Sequence, residues 1–125
     1  MVRRAYERLN ESDPEGLADL CSEDFLMDMS ERVFNPDTYR GRDGISRFVN
    51  DVREAWDSYR WDMEEALTAG DAVVALVHCE GHGRAGGPRV DWRVAWLWKV
   101  RQDKLVFVRF YRDRAKALEA AGLSA

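Results

Sequence analysis

The chain has 125 residues, of which 46% are apolar and 34% are charged, and its formal net charge is −4. This length fits a single domain over residues 1–125 that can bury its own hydrophobic core. The mild acidity gives no electrostatic reason to expect nucleic acid or an anionic membrane as a partner. No segment approaches the roughly 18 apolar residues of a membrane span, and none is typical of a signal peptide, so we expect a cytoplasmic protein. Lysine is scarce relative to arginine, a bias typical of GC-rich bacterial genomes.

The first part of the chain predicts two helices and a short strand. Val2–Asn10 has apolar residues at helical spacing. Ser12 or Asp13 can cap a second helix over residues 14–21, which begins with a proline. Residues 25–29 alternate as a short strand.

A third helix follows two turn signals, at residues 35–37 and 41–44, which flank the segment Thr38-Tyr39-Arg40. Apolar residues then recur at helical spacing from Ile45 to about Trp56.

The rest of the chain predicts antiparallel strands and a short tail helix over residues 115–121. The strands are expected at residues 59–67, 72–81, 89–101 and 104–111, joined by Ala69-Gly70-Asp71, a glycine-rich loop over 81–88, and Gln102-Asp103. Helices followed by a meander of long strands predict an α+β fold. We expect a curved antiparallel sheet wrapped over three N-terminal helices and enclosing a cone-shaped cavity.

One strand in the middle of this sheet carries an unusual aromatic face. Trp92, Val94, Trp96 and Trp98 alternate along it, so their side chains point to the same side of the sheet. Two interpretations are open: a bulky hydrophobic core, or the wall of a cavity for an apolar or aromatic ligand.

The order of these elements and the motifs between them resemble the nuclear transport factor 2-like superfamily, and within it the SnoaL-like group. The resemblance covers nearly the whole chain and implies a cystatin-like cone. It rests on Val2–Asn10 with Asp13 and Leu17, Tyr39-Arg40-Gly41-Arg42-Asp43-Gly44 before Phe48, Ala69-Gly70-Asp71, and Tyr111-Arg112-Asp113-Arg114 before Ala117-Leu118. This scaffold hosts isomerases, polyketide cyclases, hydrolases and binding domains, so it does not specify a function.

The resemblance also implies where catalytic residues would stand, and this chain departs from the pattern at each place. Ketosteroid isomerases of the superfamily carry a carboxylate base, a tyrosine and a protonated acid, and these positions fall on Met29, Ala5 and Trp96. Cyclases often have a histidine where Trp96 stands. The inherited catalytic dyad is therefore absent.

An enzyme with this fold would need catalytic residues at other positions, and the candidates for this relocated set are Asp28, Tyr39 and Arg112. Asp28 is next to the base position, although strand alternation points it away from the cavity unless a bulge redirects it. Tyr39 and Arg112 complete the set. Arg112 would present a cation at the cavity rim that binds a ligand carboxylate, or it would pair with Asp28 or Asp113.

The remaining reactive residue types give weaker signals. His82 is expected to be exposed in the glycine-rich loop, and His78 to lie on the outer sheet face. Cys21 and Cys79 are predicted to be buried thiols without a disulfide. We predict no metal site and no cofactor.

Three hypotheses for the function follow. The first is a small-molecule-binding domain whose partner is a small hydrophobic ligand, and the second is an isomerase, cyclase or hydrolase with the relocated set. The third is a structural dimer whose cavity is filled by its own side chains. The predicted pocket consists of Tyr6, Phe25, Met27, Met29, Phe48, Val52, Trp56, Trp61, Trp92, Val94, Trp96, Trp98, Val108, Phe110 and Arg112.

The outer face of the sheet is predicted to form a homodimer. By alternation it carries a mixture of charged and apolar side chains, which suits self-association. The centre of this interface is expected at Ala95, Leu97, Phe107 and Tyr111.

Overall fold

The computed structural model describes residues 1–32 and 36–123 as an α+β fold. Position 35 of the predicted turn lies outside these residues. The helices are α1 (Val2–Asn10), α2 (Pro14–Asp19), α3 (Gly41–Ala55) and α4 (Arg114–Ala120). The strands are β1 (Cys21–Asp28), β2 (Thr38–Arg40), β3 (Trp56–Ala69), β4 (Ala72–Gly83), β5 (Arg89–Arg101) and β6 (Lys104–Tyr111).

The helices agree with the sequence pattern except at the end of α2. Asp13 caps this helix, since its side chain accepts a hydrogen bond of 2.9 Å from the Gly16 backbone N–H. The helix was expected to reach Cys21 but ends at Asp19. The Leu105 backbone N–H on β6 donates to the Leu20 carbonyl, so strand pairing begins where the helix was predicted to continue.

The six strands form one curved sheet in the order β2-β1-β6-β5-β4-β3. Four of the pairings among the described strands are antiparallel, and the pairing of β1 with β6 is parallel. The sheet is therefore mixed, and the expectation of a wholly antiparallel sheet is wrong at this one place. The reason is topological: β1 precedes α3 and meets β6 only after the β3–β6 meander has returned the chain to its side.

Tight turns and register shifts shape the meander. Gln102 and Asp103 both have left-handed backbones, with φ of 51° and 61°, as a two-residue type I′ hairpin requires. Register shifts occur within β3 between Met63 and Glu65 and in the β5–β6 pair beside Lys99. Such irregularities bend a strand and increase its twist, which lets the sheet curve around the helices.

Each face of the sheet packs against helices. The inner face carries Trp96 and Trp98 and packs with Tyr6 of α1 and Phe48 of α3. The outer face packs with α4, whose Ala117 is fully buried. The middle of β5, from Val94 to Trp98, is therefore buried on both faces of the sheet.

This packing corrects the predicted dimer interface. Ala95, Leu97 and Tyr111 are 0%, 3% and 9% exposed, and Phe107 is partly buried in the same cluster. The tail helix α4 folds back over them, capped by the Asp113 side chain, which accepts from the Ala115 N–H. Ala95, Leu97 and Tyr111 therefore cannot be the centre of an interface while α4 is in place, although homodimerisation itself stays a prediction.

Few large apolar side chains are left on the surface. Within residues 1–32 and 36–123, Met1 is the one large hydrophobic residue classed as exposed, at 45%. None of the described helices is long and apolar enough to cross a membrane.

Candidate functional site

A cleft opens on the inner side of the sheet, between the second half of α3 and strands β3 to β6. Aromatic and aliphatic side chains make up most of its wall, with two charged residues and one cysteine. The lining residues are Met29, Arg32, Phe48, Asp51, Val52, Ala55, Trp56, Tyr59, Trp61, Cys79, Trp92, Trp96 and Phe110.

The open space in the cleft is small. The volume available to the centre of a water-sized sphere is about 30 Å³. Most of the cleft is therefore taken up by its own lining side chains, which would have to move to admit a ring-sized ligand.

Trp96 forms the inner wall of the cleft and is packed by aromatic rings. It is 2% exposed. Its ring centroid lies 5.3 Å from Tyr6, 5.9 Å from Trp98 and 6.3 Å from Phe110. Edge-to-face and stacked pairs at these distances are favourable, so the position of this indole is well determined.

The mouth of the cleft is less tightly packed than its inner wall. Val52, Trp56, Tyr59 and Trp92 are each only partly buried. Trp56 lies edge-on to Tyr59, with ring centroids 5.3 Å apart. The side chains that have room to rearrange are therefore at the entrance.

The residues predicted for the pocket divide into three groups. One group lines the cleft, consisting of Met29, Phe48, Val52, Trp56, Trp61, Trp92, Trp96 and Phe110. A second group is buried in the core outside the cleft lining, consisting of Tyr6, Phe25, Met27, Val94, Trp98 and Val108. The third group contains only Arg112, which is exposed and follows the last residue of β6.

Trp98 illustrates why some of these residues are core. The ring stacks with Phe25 at 6.4 Å, and its Nε1 donates a hydrogen bond of 3.0 Å to the Tyr6 hydroxyl. Helix α1 thus closes this end of the sheet's inner face. Alternation along β5 specifies the face on which a side chain lies but not whether a helix covers it.

The sequence analysis did not identify two charged residues that line the cleft, Arg32 and Asp51. Both form hydrogen bonds with the Tyr39 hydroxyl. The Tyr39 hydroxyl donates to Asp51 Oδ2 at 2.7 Å and accepts from Arg32 at 3.0 Å. The Arg32 guanidinium also lies 5.3 Å from the centroid of the Phe48 ring. Asp51 is three residues after Phe48 on α3, and this helical spacing is a signal for it; Arg32 follows β1 and carries no periodic signal.

Tyr39 is held in its protonated form. Burial raises the pKa of its hydroxyl, the hydrogen bond to Asp51 raises it further, and Arg32 partly offsets these effects. The group therefore acts as a neutral hydrogen-bond donor that orients Asp51.

The cysteine and the tyrosine that line the cleft are also neutral. Burial raises the pKa of the Cys79 thiol to about 12, against a smaller lowering by its hydrogen bond with Tyr59. Burial likewise raises the pKa of Tyr59, and the neighbouring Cys79 adds to the effect. Cys79 is thus a thiol rather than a nucleophilic thiolate at neutral pH.

Asp28 does not take part in this arrangement. Although burial raises the pKa of its carboxyl, two hydrogen bonds from Ser30 and the charge of Arg109 outweigh that effect and lower it overall. The carboxylate lies 3.9 Å from Arg109 Nε. Of the relocated set, only Tyr39 joins the charged residues at the cleft, because Asp28 is paired elsewhere and Arg112 is exposed.

The histidines lie away from the cleft. His82 is exposed near the end of β4. His78 Nε2 is 2.6 Å from Asp91 Oδ1 and 3.7 Å from Glu80 Oε1. These three side chains link β4 and β5, and the side chains of Glu80 and Asp91 are 45% and 55% exposed.

Solved structures with the same fold are similar to this chain over most of its length. A hypothetical protein from Catenulispora acidiphila with a ketosteroid isomerase-like fold, solved in complex with trimethylamine, is 20% identical with a TM-score of 0.78, covering 98% of this chain and 92% of that one. TerC co-crystallised with polyporic acid is 19% identical with a TM-score of 0.76, covering 97% and 95%. Rv0760c from Mycobacterium tuberculosis, in complex with estradiol-17β-hemisuccinate, is 18% identical with a TM-score of 0.74, covering 88% of each chain.

At these identities the likeness shows the fold and not the activity. No curated protein matches the sequence significantly. The family profile of the SnoaL-like domain matches residues 2–108, which confirms the resemblance seen in the motifs. The chain therefore belongs to the SnoaL-like domain family.

Proposed function

We propose that this SnoaL-like domain binds a small, flat, apolar molecule in the cleft beside α3. The observation that carries the proposal is the composition of the wall: Phe48, Trp61, Trp96 and Phe110 surround the space, and charged groups are confined to Arg32 and Asp51. Concave sites with an apolar lining and few polar groups are typical of small-molecule binding.

Structures with this fold support the proposal by example. Those solved with trimethylamine, polyporic acid and estradiol-17β-hemisuccinate were each obtained with a small organic molecule. Two of those three molecules are flat or fused-ring compounds, and an aromatic wall in this chain offers such rings a stacking surface.

The proposed site differs from the pocket expected from the sequence in being shallower. It comprises the lining residues of the cleft and leaves out the core residues around Trp98. A ligand would displace the partly buried side chains at the mouth, chiefly Trp56 and Trp92, and rest against the fixed ring of Trp96.

A blocking substitution tests this proposal. Ala55 is the last residue of α3 and lines the cleft, so Ala55→Phe would fill its mouth. Ala120 is the last residue of α4, on the other side of the sheet, and Ala120→Phe is the matched control. Titration with the uncharged dye N-phenyl-1-naphthylamine should give saturable one-to-one binding that Ala55→Phe weakens at least about tenfold and Ala120→Phe leaves unchanged. Equal binding to both variants, or none to the native chain, would refute the proposal.

A second candidate function is acid–base catalysis on such a ligand, favoured by the hydrogen-bond chain Arg32–Tyr39–Asp51 at the cleft. In this version the Asp51 carboxylate removes a proton from carbon, and Arg32 stabilises the oxyanion that forms. Tyr39 holds Asp51 in position.

Proton exchange tests the catalytic alternative without knowledge of the natural substrate. An aromatic ketone incubated with the protein in deuterated water should gain deuterium at its α-carbon faster than in buffer alone. Asp51→Asn should abolish this acceleration, and Asp43→Asn on the exposed start of α3 should retain it. If the ketone exchanges no faster with the native chain than in buffer alone, the catalytic alternative is rejected and ligand binding remains as the proposed function.

A further inference from the structure

Three side chains of metal-ligating types meet on the outer face of the sheet. His78 and Glu80 are two residues apart on β4, so they point to the same face, and strand pairing places Asp91 of β5 directly opposite Glu80. Between them, the paired residues Cys79 and Trp92 point the other way and line the cleft. The His78–Glu80–Asp91 cluster is therefore separate from the proposed ligand site.

The donor atoms of this cluster are close enough to share one ion. A ring nitrogen of His78 and one carboxylate oxygen each from Glu80 and Asp91 lie within 4.8 Å of one another. Zinc binds imidazole nitrogen at about 2.0–2.1 Å and carboxylate oxygen at about 2.0–2.2 Å, so two of its ligand atoms are at most about 4.3 Å apart. The carboxylate side chains are partly in solvent and have room to rotate by the difference.

The negative charges of the cluster exceed the positive charge that the chain pairs with them. Glu80 and Asp91 are directly opposite each other on neighbouring strands, where like charges destabilise a sheet. The hydrogen bond with His78 lowers the pKa of the Asp91 carboxyl, so this group is ionised at neutral pH. Among the described residues, His78 is the one basic side chain that forms an ion pair with either carboxylate. An imidazolium carries a single positive charge, whereas a divalent cation would balance both carboxylates.

The arginines on the neighbouring strands are paired with other carboxylates. Arg93 on β5 has its Nε 3.5 Å from Glu64, and Arg60 on β3 has its Nε 3.0 Å from Asp62. The guanidinium of Arg114 also contacts Glu64, at 3.1 Å. These contacts leave the exposed side of the cluster open to a cation from solution.

We propose that His78, Glu80 and Asp91 bind a divalent transition-metal ion of the zinc type. One imidazole nitrogen with two carboxylate oxygens is a ligand set that suits zinc, whereas Mg²⁺ and Ca²⁺ prefer oxygen ligands alone. Three protein ligands leave one position of a tetrahedral site to solvent water. Coordination uses the lone pair of His78 Nε2, so its hydrogen bond with Asp91 is replaced by bonds from both groups to the metal, and Nδ1 carries the ring proton.

This site was not predicted from the sequence. Asp91 comes 13 residues after His78, and only the register of β4 with β5 makes them neighbours. The spacing within the sequence therefore gives no metal-binding signal.

Calorimetric titration of the full chain with zinc chloride tests the proposal. We expect one zinc ion to bind per chain. His78→Gln should weaken this binding at least about tenfold, because even residues that only orient metal ligands contribute that much. His82→Gln is the matched control, since it removes the chain's other histidine, which is exposed near the end of the same strand, and it should leave the affinity unchanged.

A second pair of variants separates ligation from general electrostatic attraction. Asp91→Asn removes one ligand and one negative charge, and it should weaken zinc binding as His78→Gln does. Asp103→Asn removes the same charge from the exposed hairpin after β5, where asparagine also adopts the left-handed backbone. It should bind zinc like the native chain.

Nuclear magnetic resonance of the histidine rings decides the matter even if His78→Gln does not fold. The chain has two histidines, and the ring signals that remain in His82→Gln are those of His78. Zinc should shift the His78 signals in the native chain and leave those of His82 in place. Mg²⁺ at the same concentration should shift neither.

The other outcomes would overturn the proposal. No zinc binding by the native chain, or equal shifts of both histidines, would mean that the cluster is only an ion-pair link between two strands. Zinc affinity unchanged in Asp91→Asn, or an equal response to Mg²⁺, would indicate a negatively charged surface without a defined metal site.

Discussion

At the scale of single residues, side chains with the same predicted role in the pocket differ in how deeply they are buried. Trp56 and Trp96 both line the cleft, but Trp96 is 2% exposed and Trp56 is only partly buried. The first fixes the inner wall and the second stands at the entrance. The two indoles should therefore differ in their contributions to stability, and this difference can be measured.

We predict that Trp96→Ala lowers the free energy of unfolding by about 3–5 kcal/mol, as expected for a buried aromatic ring with close neighbours. Trp56→Ala should cost clearly less, because part of its ring is already in contact with water. Urea denaturation followed by circular dichroism measures both. Equal costs would mean that the cleft is collapsed around Trp56 as tightly as around Trp96.

A second residue-scale prediction concerns pH. The lowered pKa of Asp28 means that its carboxylate stabilises the fold above the unfolded-state pKa of about 3.9. That contribution is lost as the pH falls through the lower, folded-state pKa. Asp28→Asn should therefore reduce stability at pH 7 and have a much smaller effect near pH 2.

The cause of this lowering can be checked by a companion variant. Ser30 gives Asp28 two hydrogen bonds, from its backbone N–H and from its hydroxyl. Ser30→Ala removes the second bond and should raise the carboxyl pKa of Asp28 in a carbon-13 titration. An unchanged titration would assign the lowering to the Ser30 backbone N–H and Arg109 instead.

At the scale of secondary-structure elements, the sequence pattern correctly predicted the features that depend on neighbouring residues, namely strand limits and a hairpin turn. The limits of β5 and β6 match the alternation, and Gln102-Asp103 forms the expected hairpin. The parallel pairing of β1 with β6 was not predictable in this way. It joins segments far apart in the chain, and nothing in either strand's own pattern encodes its partner.

The position of the tail helix α4 was also not predictable from the local sequence pattern. Its existence followed from the sequence, but its position over β5 and β6 did not, since small residues such as Ala117 give little signal of burial. The dimer interface was consequently placed on a face that the chain covers itself. For the cleft, alternation identified the inner face, while Arg32 and Asp51 emerged only from three-dimensional contacts.

The cover formed by α4 leads to the third prediction. Ala117 is fully buried, so Ala117→Asp forces an unpaired carboxylate into an apolar cluster. We expect a loss of at least about 2 kcal/mol in stability. Sedimentation should show self-association as Leu97 and Tyr111 become accessible. Lys116→Asp on the exposed side of the helix is the control and should leave the sedimentation of the native chain unchanged.

At the scale of the whole molecule, the sheet should be stable at its centre and weaker at its β3 edge. Strand β5 is hydrogen-bonded on both sides, by β4 and β6, and its middle is packed on both faces. Strand β3 is bonded on one side only, and much of its second half is exposed. Local opening costs least where few apolar contacts are broken.

We therefore predict a gradient of amide hydrogen exchange across the sheet, measured by mass spectrometry of peptic peptides. Amides of β5 should exchange slowest, at rates set by global unfolding, and those in the second half of β3 should exchange fastest among the long strands. A bound ligand at the cleft should slow exchange in the first half of β3, where Tyr59 and Trp61 line the site, while leaving the second half unchanged. Uniform protection along β3 would contradict the gradient, because a single cooperative unit would then extend from the cleft to the far end of the sheet.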